Sequence, residues 1–136
     1  MINDSLKITT TTKYKYPHGA VYLGPANETV SSGFLELAPG QATPKMTRPL
    51  PEHIKQIEGS CEIEMFDEQN RISIKRLNPG DTFVIPTGIV RVHRNRFDQP
   101  SLNYWEYQGN ALALITEIKH EGLLDEKFPS QEINTS

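Results

Sequence analysis

The chain holds one cysteine, Cys61, in 136 residues. A lone thiol cannot close an intrachain disulfide, so an oxidising compartment is not implied and no zinc site can rest on paired thiolates. A basic excess is also missing: 14 Lys and Arg stand against 17 Asp and Glu, a net charge of −3. Nucleic acid and anionic membrane surfaces both call for a basic patch, so neither is an expected partner. Apolar runs are short, and none approaches the ~20 residues a membrane-spanning helix needs. The first seven residues include Asp4 and no apolar segment, unlike a secretory leader. A cytoplasmic protein is therefore expected, with the sequons at Asn27 and Asn134 incidental. No phosphate loop, thiolate zinc motif or nucleophile-plus-base pair appears.

Turn formers are plentiful, with ten Pro and nine Gly. They argue against long helices and for many short elements. The length suits one domain with one core. Alternating apolar and polar residues predict strands over 8–16, 20–23, 33–37, 52–57, 60–66, 71–77, 82–85, 89–95 and 101–108. In the first of these Ile8, Thr10, Thr12, Tyr14 and Tyr16 share a side. In the hairpin over 60–77, Cys61, Ile63 and Met65 form one buried face and Ile72 and Ile74 its answer, with Arg71 and Lys75 outward. Turns about every ten residues indicate an all-β sandwich or barrel. Residues 111–119 suit either a helix capped by Asn110 or a final strand, the helix being favoured, with Gly122 as its stop and a loose tail after Pro129.

Two segments resemble the paired motifs of the cupin superfamily. The first motif there reads Gly, five residues, His, one, His, three or four, Glu, six, Gly. Here Gly40, Met46, Arg48, Glu52 and Gly59 hold those offsets. The second reads Gly, five, Pro, one, Gly, two, His, three, Asn, and Gly80, Pro86, Gly88, Arg91 and Asn95 hold those. Every departure falls on a histidine. Gly and Pro serve the backbone at turns and strand ends, so the fold is expected to persist. The resemblance implies a cupin-type double-stranded β-helix, a jelly-roll barrel with a short C-terminal helix or tail. The whole chain, 1–136, is expected to be one domain: N-terminal strands to 32, a core over 33–108, and the helix and tail over 111–136. In the family the three histidines and the glutamate bind a divalent ion inside the barrel. Arg has no lone pair to give, and two guanidinium groups repel a cation, so no metal cofactor is expected.

Strand alternation sets which side chains face the lumen. If Glu52 points in, so do Ile54 and Gln56, while His53 and Lys55 point out. Met46 and Arg48 share that parity, and Arg91 brings His93 with it. On the last core strand, Tyr104 with Glu106 or Trp105 with Tyr107 faces in. The candidate ligand site is therefore Met46, Arg48, Glu52, Gln56, Arg91 and His93. A buried Arg demands a partner. Glu52 can serve one Arg, and the other is then free for a carboxylate or phosphate. The alternative is a closed triad of Arg48, Glu52 and Arg91 that fills the core. A metal on Glu52, His93 and Met46 is a poorer fit, because a thioether is a soft ligand. His18, His53 and His120 are expected at the surface, Lys45 and Lys55 in solvent, and Cys61 and Trp105 in apolar surroundings.

Three readings of function follow: a metal-independent binding or sensor protein for a small anionic metabolite, an isomerase or epimerase, and a homodimerisation scaffold. In the enzyme reading His93 and Glu52 move protons, with Tyr104 or Tyr107 as donor. In the scaffold reading the N-terminal strand, with its Tyr and Thr face, pairs with a partner's sheet edge, and a homodimer is expected under all three.

Overall fold

The computed structural model describes residues 6–129. The tail after Pro129, the Asn134 sequon and the first five residues, part of the segment read as unlike a secretory leader, lie outside them. Among the described residues ten strands follow in order: β1 (Thr12–Tyr16), β2 (Gly19–Ala26), β3 (Val30–Leu37), β4 (Glu52–Glu58), β5 (Cys61–Phe66), β6 (Ile72–Leu77), β7 (Thr82–Ile85), β8 (Val90–Arg94), β9 (Ser101–Gln108) and β10 (Leu123–Leu124). A single helix, α1 (Leu112–Glu121), precedes the last. Seven strands form one sheet in the order β10-β1-β2-β3-β9-β4-β7, and β6-β5-β8 form another. Each pairing is antiparallel. The two sheets close over a core that includes Leu37, Ile54, Ile63, Leu77, Ile85 and Trp105. This is the jelly-roll barrel expected from the sequence.

Register fixes the lumen. Gln56 stands opposite Asn103 and Ile54 opposite Trp105, so the pleat sends Ser101, Asn103, Trp105 and Tyr107 inward with Glu52, Ile54 and Gln56. Tyr104 and Glu106 take the opposite face, where Tyr104 joins Ala20, Tyr22 and Phe34 in a second apolar cluster. The Tyr104 hydroxyl donates to Glu106 Oε1 at 2.9 Å. The alternation read for β4 and β8 thus holds, and β9 takes its Trp105 and Tyr107 option.

Three local expectations are corrected. Residues 8–10 form a 3-10 turn rather than the start of a strand, because Thr10 and Thr11 hydroxyls donate back to the Lys7 and Ile8 carbonyls and curl the backbone. In β6 the parity is reversed: Ile72 and Ile74 are more than half exposed, while Leu77 is fully buried. Leu77 pairs with Cys61, which puts Ser73 and Lys75 on the barrel side, the Lys75 ammonium over the Phe83 ring. Leu123 and Leu124 add a short strand, β10, that the sequence reading lacked.

Residues 111–119 resolve as helix. The N-cap is Ala111 rather than the expected Asn110, which lies one residue outside and whose Oδ1 accepts the Leu112 N–H at 3.1 Å. Leu114, Ile115 and Ile118 are the buried face of α1. The helix lies across one end of the barrel, and the Tyr16 hydroxyl donates to the Ile118 carbonyl to hold it there.

Candidate functional site

The segment over 41–50 is rich in proline, and each residue before a proline, Thr43 and Arg48 included, is held extended. It therefore runs as a straight strap beside β8. Met46 and Arg91 exchange both backbone bonds at 3.0 Å. Thr43 N–H donates to the His93 carbonyl at 2.9 Å, and the His93 N–H donates to Thr43 Oγ1 at 3.0 Å. The Gly88 N–H donates to the Arg48 carbonyl at 3.1 Å. These bonds place Met46 and Arg48 at the barrel mouth, beside β8 and its inward side chains.

Below the mouth sits a buried ion pair. Arg91 Nη2 donates to Glu52 Oε1 at 2.9 Å, and Arg91 Nη1 donates to the Ile89 carbonyl at 2.9 Å. Arg91 is fully buried and Glu52 nearly so. His93 Nε2 stands 3.8 Å from the same Glu52 oxygen. Burial alone pushes the Glu52 carboxyl up, but the neighbouring His93 and Arg91 more than reverse this, to about 2.

Above the pair opens a cavity of about 1140 Å³. Met46, Arg48, Glu52 and His93 line it, as do Trp105 and Tyr107. Arg91 and Gln56, expected in the lining, are absent from it. Arg91 is committed to Glu52. Gln56 Nε2 is committed to the turn after β4, donating to the Glu58 and Gly59 carbonyls and to Ser101 Oγ.

His18, expected at the surface, lines the cavity. It stacks on Tyr16 with ring centroids 5.4 Å apart. Burial, and then His93 across the lumen, holds its imidazole below the usual histidine range. The only signal for it in the sequence was the parity it shares with Tyr14 and Tyr16, and the Pro17–Gly19 turn obscured that. The roof residues Leu114 and Ile118 of α1 are the other lining residues the strand pattern could not supply.

Arg48 is the unbalanced group. Its Nε is buried and has no hydrogen-bond partner. Among the described residues no carboxylate lies within salt-bridge distance of it, whereas Arg91 has Glu52. Nearby hydroxyls do feel its charge. Burial first pushes the Tyr16 phenol up to about 12, and the Tyr107 phenol well above its usual range, and Arg48 partly opposes both shifts. The closed Arg48–Glu52–Arg91 triad considered from the sequence is therefore a Glu52–Arg91 pair, with Arg48 left to the Tyr107 side chain and without a carboxylate partner among the described residues.

The metal ligand set implied by the family resemblance was tested against these residues. Three of its four positions hold Met46, Arg48 and Arg91, and the fourth, Glu52, is engaged by a guanidinium. Among the described residues no three His, Cys, Asp or Glu side chains converge as a metal site would require. The donor set does not fit a divalent ion. As an acid–base device the site is also awkward, since a carboxylate held near 2 against burial by His93 and then Arg91 is a weak proton acceptor at neutral pH. Tyr104, one of the two expected donors, faces away from the cavity, and Tyr107 lines it.

A two-sheet antiparallel barrel, with a mouth strapped by a proline-rich segment, defines a jelly-roll container of the cupin class. The chain belongs to the cupin family, whose sequence model, described as "Cupin", matches residues 27–128. Among curated relatives, germin-like protein 5-1 of Oryza sativa subsp. japonica is 29% identical over 73 residues, 53% of this chain and 33% of that protein. The chain thus spans about a third of the length of that relative. Among solved structures, a variant of oxalate decarboxylase from Bacillus subtilis superposes with a TM-score of 0.68 at 17% identity, covering 82% of this chain and 30% of the other. An oxalate oxidase bound to the substrate analogue glycolate gives 0.55 at 21% identity, covering 60% and 42%. At such identities the likeness is one of fold. Among the described residues no helix is long and apolar enough to cross a membrane.

Proposed function

We propose that this cupin is a metal-independent binding protein that holds a small anionic metabolite, by a carboxylate or phosphate, at the barrel mouth. The observation that carries the reading is Arg48: a guanidinium lining a cavity, its Nε buried and unpartnered. An unpaired charge in such a place is costly, and an anion from solution removes the cost. Arg91 supports the reading indirectly, because Glu52 already neutralises it. Glu52 then serves the fold, and Arg48 serves the ligand. Proteins of similar fold are described as complexes with the small carboxylates glycolate and formate, which supports a carboxylate as the class of anion.

The test is thermal denaturation of the purified protein with millimolar benzoate, acetate, oxalate and inorganic phosphate. At one hundred times its Kd a ligand adds about 2.7 kcal/mol, several degrees in Tm for a domain of this size. Arg48→Met keeps most of the side-chain volume and is expected to abolish the rise while leaving the Tm of the free protein within about 2 °C. A rise of equal size in Arg48→Met, or no rise with any of the four anions, overturns the reading.

A further inference from the structure

The cavity wall divides by chemistry, and its charge is countable. Val21, Leu35, Trp105, Leu114 and Ile118 give it one apolar flank, made jointly by the large sheet and α1. Of the cations at the wall, Lys45 is turned to the Phe66 ring, its Nζ 4.2 Å from the centroid. That leaves Arg48 as the fixed positive charge without a counter-ion among the described lining residues. Glu117 and Glu121 stand at the helix side of the mouth. A second negative charge on the ligand would meet these carboxylates rather than a cation. The volume, about 1140 Å³, lies just above the usual run of ligand pockets, roughly 300–1,000 Å³. A two-carbon dianion would leave most of that space to water and all of the apolar flank uncovered.

We infer that the ligand is an amphipathic monoanion: one carboxylate seated on Arg48, and an apolar body of ring size lying between Trp105 and the Leu114–Ile118 face of α1. The inference rests on the anion-binding reading above and narrows it. The head group meets the Arg48 guanidinium, which lines the cavity without a carboxylate partner among the described residues, and His93 lines the same cavity. The body removes apolar wall from water, and this is the source of selectivity over smaller anions. Helix α1 is then part of the binding wall, held in place by the Tyr16 hydroxyl.

Isothermal titration calorimetry with 3-phenylpropionate, its neutral amide 3-phenylpropionamide, acetate, oxalate and inorganic phosphate separates the steps. The fluorescence of Trp105, the one tryptophan, reports locally in the same samples. The expected result is 3-phenylpropionate binding at least tenfold tighter than acetate, oxalate or the amide, with a change in Trp105 emission. Glu117→Leu, at an exposed position of the cavity wall, removes a negative charge for every anion and adds apolar surface, so it is expected to tighten 3-phenylpropionate at least threefold more than it tightens acetate. Oxalate or phosphate binding as tightly as 3-phenylpropionate overturns the amphipathic class and leaves the anion reading standing, as does a Glu117→Leu variant whose affinity for 3-phenylpropionate and acetate changes equally. An amide as tight as the acid, or no anion bound at all, overturns both. Heat without any Trp105 response overturns the placement at this wall.

Discussion

Glu52→Leu is expected to lower the free energy of unfolding by about 3–5 kcal/mol, the usual cost of stranding one half of a buried ion pair. That is a large share of the roughly 5–15 kcal/mol that holds a domain together. The reason is Arg91, which has no exposed surface and no other carboxylate within reach. Without Glu52 its Nη2 loses its only anionic partner, and its Nε is already unpartnered. Glu52→Gln keeps an acceptor oxygen at the same place and is expected to cost less. The double variant Glu52→Leu, Arg91→Met removes both charges and is expected to recover most of the loss, since apolar replacement of a whole buried pair is often neutral. Urea unfolding of the four proteins decides the matter. A Glu52→Leu variant within 1 kcal/mol of the parent would show the pair to be incidental.

Glu52, with His93 and Arg91 beside it, also sets an acid limit. Glu52 is held at about 2 in the folded protein against 4.5 for the free side chain. A folded value below the unfolded one means the unfolded chain takes up the proton first as pH falls. The contribution of Glu52 is therefore complete above pH 4.5 and is lost progressively down to about pH 2. At 1.36 kcal/mol per unit the total is roughly 3 kcal/mol. In Glu52→Gln this part of the acid dependence is expected to disappear.

Much of this site can be read in the sequence, and the physical reason is that its backbone and its side chains are encoded separately. Gly59 has φ +65° and Gly88 φ +79°, in the left-handed region that favours glycine. Their spacing with Pro86 gave the barrel although the histidines were gone. Period-two alternation placed Glu52, Gln56, Arg91 and His93 inward, because each lies on a strand whose neighbours fix its pleat. It failed on β6, an edge strand. There Ile72 and Ile74 look like core but the pairing of Leu77 with Cys61 decides the parity. Alternation also says which way a side chain starts, not where it ends. It could not tell that Arg91 would reach Glu52 and leave Arg48 without a carboxylate. Nor could it show that α1 would roof the cavity and His18 enter it, since both facts depend on elements far apart in the chain.

The cavity wall itself carries the last prediction. Gly33 stands opposite Trp105 on one side and Leu23 on the other. A Cβ built there would lie 2.1 Å from the Tyr22 carbonyl oxygen and 2.6 Å from Cζ2 of Trp105. The first contact is with the backbone of a paired strand and cannot be relieved by a rotamer change. Gly33→Ala is therefore expected to destabilise by about 3 kcal/mol, the upper range for overpacking, and to lower Tm by about 10 °C. The second contact can be relieved, by moving the indole. The Trp105 ring then shifts relative to the cavity it lines, and its emission should change in the folded variant. Gly33→Ala combined with Trp105→Phe is expected to regain only part of the loss, because the carbonyl contact remains; the shortfall in such a double-mutant cycle measures it. A Gly33→Ala protein that melts within 2 °C of the parent, with unchanged emission, would mean that β2 and β3 lie further apart than described and that the wall opposite Arg48 is not held by their pairing.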